Sequence, residues 1–206
     1  MDKKTLIEKR RYDRIAWIYD LFQAPMEKLI KSDEIRSRIF QMAKGSKILE
    51  VGVGTGRNIP YYPPQAEVIA IDLSPKMLEK AKKKLSLTKA KVTLVEADVQ
   101  NLPFPSQFFD SCIATFVFCS VPDPIKGLSE LKRVVKPEGR IILLEHIRID
   151  RPIIGPLMDL LNPIVVRIIG ANINRQTIKN VEKAGLKIEE IEDINDLVKL
   201  ITASPS

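Results

Sequence analysis

The stretch that most constrains this chain runs from Lys47 to Arg57 and reads K-I-L-E-V-G-V-G-T-G-R, an apolar run ending in three glycines at alternate positions. Ile48, Leu49 and Val51 suit a strand in a parallel sheet covered on both faces. Gly52, Gly54 and Gly56 then allow a sharp turn and let a ligand approach a backbone that carries no Cβ. Asn58 is available to begin or cap a short helix beyond the turn. A ligand is therefore expected against the three glycines.

A dinucleotide would require G-x-G-x-x-G, and the position of its third glycine is held by Arg57. What matches is E-x-G-x-G-T-G, from Glu50, followed by an acid at the end of the next strand, Asp72 in V-I-A-I-D. On these residues the chain resembles the class I S-adenosylmethionine-dependent methyltransferases and, within them, the UbiE-like group. The resemblance implies an α/β fold with a Rossmann-like sheet of seven strands, the last antiparallel, with helices on both faces and an N-terminal helical cap. It also implies S-adenosylmethionine as cofactor and S-adenosylhomocysteine as product.

The same resemblance assigns roles. The glycine loop wraps the methionine part, Glu50 helps to hold its ammonium, and Asp72 accepts both ribose hydroxyls; Asn58, just past the loop, is counted with them. Leu73, Ser74 and Met77 border the ribose and adenine. Asp98 accepts the adenine amino group and the Val99 backbone N–H binds a ring nitrogen. Thr115 and Phe116, at the end of the fourth strand, stand near the sulfonium. As structure alone, Ser74 reads as a helix cap with Pro75 behind it, and Met77 as a core residue.

With 206 residues and 45% hydrophobic content the chain can bury one sizeable core. The expected division is 1–44 as helical cap, 45–150 as cofactor core, 151–172 as variable substrate cover, and 173–206 as closing helix and hairpin. No run has the length of a membrane span and the first residues lack the apolar core of a signal peptide, so the expected location is cytoplasmic. Cys112 and Cys119 read as reduced core residues, and no metal site is expected. A net charge of +7 admits an anionic membrane surface as partner.

In the first 44 residues the pattern Tyr-Asp-x-x-Ala-x-x-Tyr-Asp, from Tyr12 to Asp20, has apolar positions at helical spacing, and Pro25 is expected to divide the stretch into two helices. The pattern resembles the UbiE-like cap, which makes Tyr12 and Tyr19 candidate pocket residues; the competing role is docking of the helix on the core. The one histidine, His146, is placed at the carboxyl end of the fifth strand, where open α/β sheets carry their ligand crevice. It is a candidate catalytic base or positioner, together with Tyr19, or else a hydrogen-bonded structural residue.

From 151 to 170 the chain turns apolar. Pro156 and Pro163 argue against one regular helix, and the segment reads as an apolar pocket wall, a membrane-facing lid or a buried connection. Asn172 or Asn174 is expected to cap a following helix that ends at Gly185.

Methyl transfer needs an aligned acceptor more than it needs a base. The expected acceptor is small and apolar or membrane-derived: a lipid head-group amine, a quinone-like ring or a thiol. Nucleic acid is disfavoured, because Thr115 to Phe118 reads T-F-V-F where amino-methylating enzymes often carry (N/D)-P-P-(Y/F). A regulator of the same fold that binds the cofactor or RNA without catalysis is the alternative.

Overall fold

The computed structural model describes residues 2–21 and 32–205, leaving aside the side chains of 32, 168 and 169. Pro25 and the division it was expected to make lie outside the described residues.

Seven strands form one sheet in the order β3-β2-β1-β4-β5-β7-β6. β1 (Lys47–Val51), β2 (Glu67–Asp72), β3 (Lys91–Glu96), β4 (Phe109–Thr115) and β5 (Val135–His146) are mutually parallel. β7 (Val198–Ser204) runs antiparallel between β5 and β6 (Lys187–Asn195). This is the seven-stranded sheet with one antiparallel strand that the resemblance implied.

Alternation along each central strand divides the core in two. Leu49, Val51, Ile141 and Leu143 enter one apolar layer, completed by Phe109, Leu128 and Leu131. Ile48, Ile142 and Leu144 enter the other, with Ile39, Phe40 and Ala81. Successive residues of a strand point to opposite faces, so a sheet with apolar side chains on both must be covered on both. Of the helices α1 (Lys3–Ile15), α2 (Ser32–Gln41), α3 (Pro75–Lys82), α4 (Pro124–Val134), α5 (Ile154–Ile169) and α6 (Thr177–Lys183), α4 and α6 contribute to the first layer and α2 and α3 to the second.

Local chemistry fixes several boundaries. Ser74 caps α3 by accepting from the Met77 N–H at 3.2 Å, with Pro75 as the first helical residue. Asp123 does the same for α4 through Lys126 N–H. Gly185, at φ +75°, ends the segment after α6 as expected.

Two expectations are corrected. The prolines do not break the 151–170 segment: α5 is one helix of 16 residues. Pro156 is its third residue, where an N–H has no intrahelical partner to lose, and only Pro163 removes a helix hydrogen bond. Asn172 and Asn174 do not cap α6, which starts at Thr177 after Gln176. Their side chains are drawn elsewhere, Asn172 donating to the Cys119 carbonyl and Asn174 to Asp159. Pairing of β5 begins at Val135, opposite Phe109, with a register shift between Phe109 and Ser111.

Candidate functional site

The carboxyl ends of β1, β2, β3 and β4 surround a cavity whose wall includes Gly52, Gly54, Asp72, Asp98, Thr115 and Phe116. Leu73, Met77 and Val99 complete that side, and Tyr12, Tyr19 and Glu8 face them from the N-terminal segment. A smaller adjoining recess brings in Asn58, again beside Gly52, Gly54 and Tyr19.

The glycines play three different parts. Gly54 stands at φ +54°, and a Cβ there would meet nothing nearer than the Gly52 carbonyl at 3.9 Å, so its missing side chain leaves open cavity. At Gly52 a Cβ would strike the Val117 side chain at 2.5 Å. Gly56 is packed against Ile59 and Ala81 and lies away from the cavity wall.

Two buried acids end neighbouring strands. Asp72 accepts from Gly54 N–H at 2.8 Å and from Ser74 N–H at 2.9 Å, and the rest of its acceptor capacity faces the cavity. Burial raises its carboxyl to about 6 against those two hydrogen bonds. Asp98 accepts from the backbone and side-chain N–H groups of Gln100, whose amide also reaches Thr5 on α1.

Some candidates stand one layer back. Glu50 is fully buried and does not line the cavity: Asn58 donates to one oxygen at 2.7 Å and the Tyr62 hydroxyl to the other. Burial pushes it up to about 7 despite both donors. Its reach toward a ligand therefore goes through Asn58, which also bonds Thr115. Ser74 is also fully buried, its hydroxyl donating to Asp13 at 2.6 Å. His146 is likewise absent from the cavity wall. Its ring lies 4.5 Å from that of Phe116, which occupies the wall in its place. Burial lowers the imidazole, and its Nε2 has no hydrogen-bond partner among the described residues.

The Tyr-Asp repeat acquires a physical meaning. Tyr12 and Tyr19 meet edge to face, ring centroids 6.1 Å apart, on the cavity wall. The two aspartates fasten the segment to the cavity's frame: Asp13 to Ser74, and Asp20 to the glycine loop through Thr55 Oγ1 at 2.6 Å and Arg57 Nε at 3.1 Å. The chain leaves helical conformation at Ala16–Ile18, between the two pairs.

Glu145 went unremarked in the sequence. Fully buried beside His146, it accepts from the N–H groups of Val117 and Phe118 at 2.8 and 3.0 Å. It thereby holds the turn in which Phe116 takes φ +58°, a left-handed conformation costly for a bulky side chain. Burial raises this carboxyl to about 7. Nothing in the local pattern distinguishes it from any other acid, since its partners are backbone groups of another strand's loop. Arg175 donates to the carbonyls of Cys119 and Val121 in that same loop.

A parallel sheet with one antiparallel strand, a glycine turn after β1 and acids ending β2 and following β3 define a class, the S-adenosylmethionine-dependent methyltransferases of class I fold. The family described as a methyltransferase domain matches residues 49–143. The chain is 36% identical over 151 residues to the phosphatidylethanolamine N-methyltransferase of Cereibacter sphaeroides, covering 72% of this chain and 70% of that protein. It is 35% identical over 181 residues to the demethylmenaquinone methyltransferase of Clavibacter sepedonicus, covering 84% and 73%. Among solved structures, the S-adenosylmethionine-dependent methyltransferase of Mesorhizobium loti shares the fold with a TM-score of 0.64 at 18% identity, over 83% of this chain and 96% of that one. The chain belongs to the UbiE-like methyltransferases, enzymes that depend on S-adenosylmethionine.

Proposed function

We propose that the enzyme methylates a small apolar or membrane-derived acceptor, a lipid head-group amine, a quinone-like ring or a thiol, at the cytoplasmic face of a membrane. The observation that carries this reading is the composition of the cavity's outer wall. The cavity that holds the paired acids is also lined by Tyr12, Tyr19, Phe116, Val117 and Val121, aromatic and aliphatic side chains suited to a molecule with little polar area. The relatives' printed names, one on a phospholipid amine and one on a quinone precursor, agree with that chemistry.

The wall also fits S-adenosylmethionine. Open space over Gly54 admits the amino-acid part beside Asn58, the unused lone pairs of Asp72 match a vicinal diol, and Asp98 Oδ2, which accepts only from the Gln100 side chain, keeps a lone pair for an exocyclic amine. The cofactor supplies a methyl group on an already charged leaving group. The chain's own part is alignment and exclusion of water. Asp72 and Asp98 fix the nucleoside, the turn held by Glu145 sets Phe116 and Val117 against the reacting centre, and Tyr12 and Tyr19 close over the acceptor. Tyr19, whose neighbour Asp20 is tied to the glycine loop, lines both recesses and is a positioning group. His146 acts only through the Phe116 ring.

Incubating the enzyme and methyl-labelled cofactor with a lipid and metabolite extract, followed by mass spectrometry, tests the reading. Label in a lipid amine, quinone or apolar thiol supports it. Label confined to water-soluble polar metabolites contradicts it.

A further inference from the structure

The outer surfaces of α1 and α5 present two kinds of residue that the cavity does not use. On α5, Ile153, Leu157, Leu160, Leu161 and Ile164 recur at helical spacing and all project outward, with Ile153 81%, Leu160 73% and Ile164 58% exposed. Around the helix axis they span about a third of a turn, the width of the apolar stripe that an ordinary helix buries. The one acid of the helix, Asp159, lies on the opposite side in an ion pair with Arg148. A contiguous apolar face of this kind marks an interaction site.

On α1 the outer face is cationic. Lys3, Ile7, Arg10 and Arg14 follow one another at intervals of four, three and four, with Lys4 and Leu6 beside them, all exposed. Lys3, Lys4, Arg10 and Arg14 have no ion-pair partner among the described residues. The helix's own acids point elsewhere, Glu8 into the cavity and Asp13 to Ser74. Trp17, 75% exposed, extends this face. The two helices meet where a Cβ on Gly170, at the end of α5, would strike the Arg11 side chain. The end of α5 thus lies against α1, the helix that carries the cations.

We infer that these two helices form a docking face for an anionic lipid bilayer: α5 lies in the interface with its apolar side among the acyl chains, and the cations of α1 rest on the lipid phosphates. Charge complementarity selects the occupant. A second copy of the chain would set the basic face of α1 against a protein that is itself +7, whereas an anionic bilayer satisfies both faces at once. None of the described helices is long and apolar enough to cross a membrane, so the contact is made from one side. The inference rests on the membrane-derived acceptor proposed above and supplies its route, since substrate would enter the cavity from the surface on which the protein sits.

Vesicle co-sedimentation tests it, using phosphatidylcholine alone and phosphatidylcholine in which phosphatidylglycerol replaces a part. Wild type is expected to bind the anionic vesicles much more tightly, with binding falling as salt screens the contact. Arg10→Glu/Arg14→Glu should weaken that binding roughly fivefold or more for each cation lost and remove most of its salt dependence. Leu160→Glu/Ile164→Glu should abolish it at every salt concentration. Both variants should bind S-adenosylhomocysteine as wild type does, which shows that they are folded. Equal binding to neutral and anionic vesicles, or anionic binding undiminished in the α5 variant, overturns the inference. So does conversion of a dimer to a monomer by the α5 substitutions with vesicle binding intact. If vesicle binding fails while extract lipids are still labelled, the docking face alone is wrong; if vesicles bind and no lipid is labelled, the acceptor assignment is wrong.

Discussion

Asp72 shows how one side chain ties sequence motif to chemistry. Two backbone N–H groups already hold its oxygens, so its position is fixed before any ligand arrives. Asp72→Ala should weaken binding of S-adenosylhomocysteine by about 1–3 kcal/mol, the range for losing hydrogen bonds to a charged group, and Asp98→Ala by less. Because burial lifts the Asp72 carboxyl to about 6, its ionised, doubly accepting form is lost as pH falls through that value. Affinity measured by calorimetry should accordingly drop below about pH 6, and Asp72→Asn should flatten that dependence. Glu145 offers a test through stability. Its carboxyl is raised from the ordinary 4.5 to about 7, so between those values the folded chain holds more protons than the unfolded one. Its contribution to stability is then fully present below about pH 4.5 and lost as pH rises through 7. Glu145→Gln imitates the protonated acid and keeps an acceptor for Val117 and Phe118. Denaturant titrations from pH 5 to 8 should show that variant losing less stability with rising pH than wild type; parallel curves would show that Glu145 does not titrate in this range.

At the level of elements, the N-terminal segment is fastened to the site by its aspartates more than by its apolar residues. Asp13 secures α1 to the start of α3, and Asp20 grips Thr55 and Arg57 of the glycine loop. Asp20→Ala should loosen that loop and weaken S-adenosylhomocysteine binding by roughly tenfold, about the worth of one charge-assisted hydrogen bond, with little change in thermal stability because Asp20 is partly exposed. Unchanged affinity would mean that the loop holds its shape without the clamp. The seven-residue spacing of Tyr-Asp to Tyr-Asp was visible in the sequence; the aspartates' partners were not, for they lie 61 and 35 residues away. α5 teaches the opposite lesson. Its prolines dominate the local pattern, yet one costs nothing in the first turn and the other is carried by a long helix anchored at Arg148 and closed by Gly170 at φ +86°.

Taken whole, the molecule was most legible where function requires a backbone shape. The glycine turn, the acid ending β2 and the one following β3 all fell at the carboxyl edge, because a parallel sheet delivers every strand's end to the same side. Side chains that act through a neighbour were not legible. Glu50 and His146 occupy the expected strands but stand behind Asn58 and Phe116, a difference of one layer that alternation along a strand cannot reveal. We propose that the open wall at Gly54, with Asp72 beside it, receives S-adenosylmethionine and not a dinucleotide. Calorimetric titration of S-adenosylhomocysteine and of NAD into wild type and Gly54→Val tests it directly. Wild type should bind S-adenosylhomocysteine and not NAD, and the valine variant should lose that binding, because its side chain occupies the open space in a conformation unfavourable to any β-branched residue. Undiminished binding by a folded Gly54→Val protein, or binding of NAD by wild type, would contradict it.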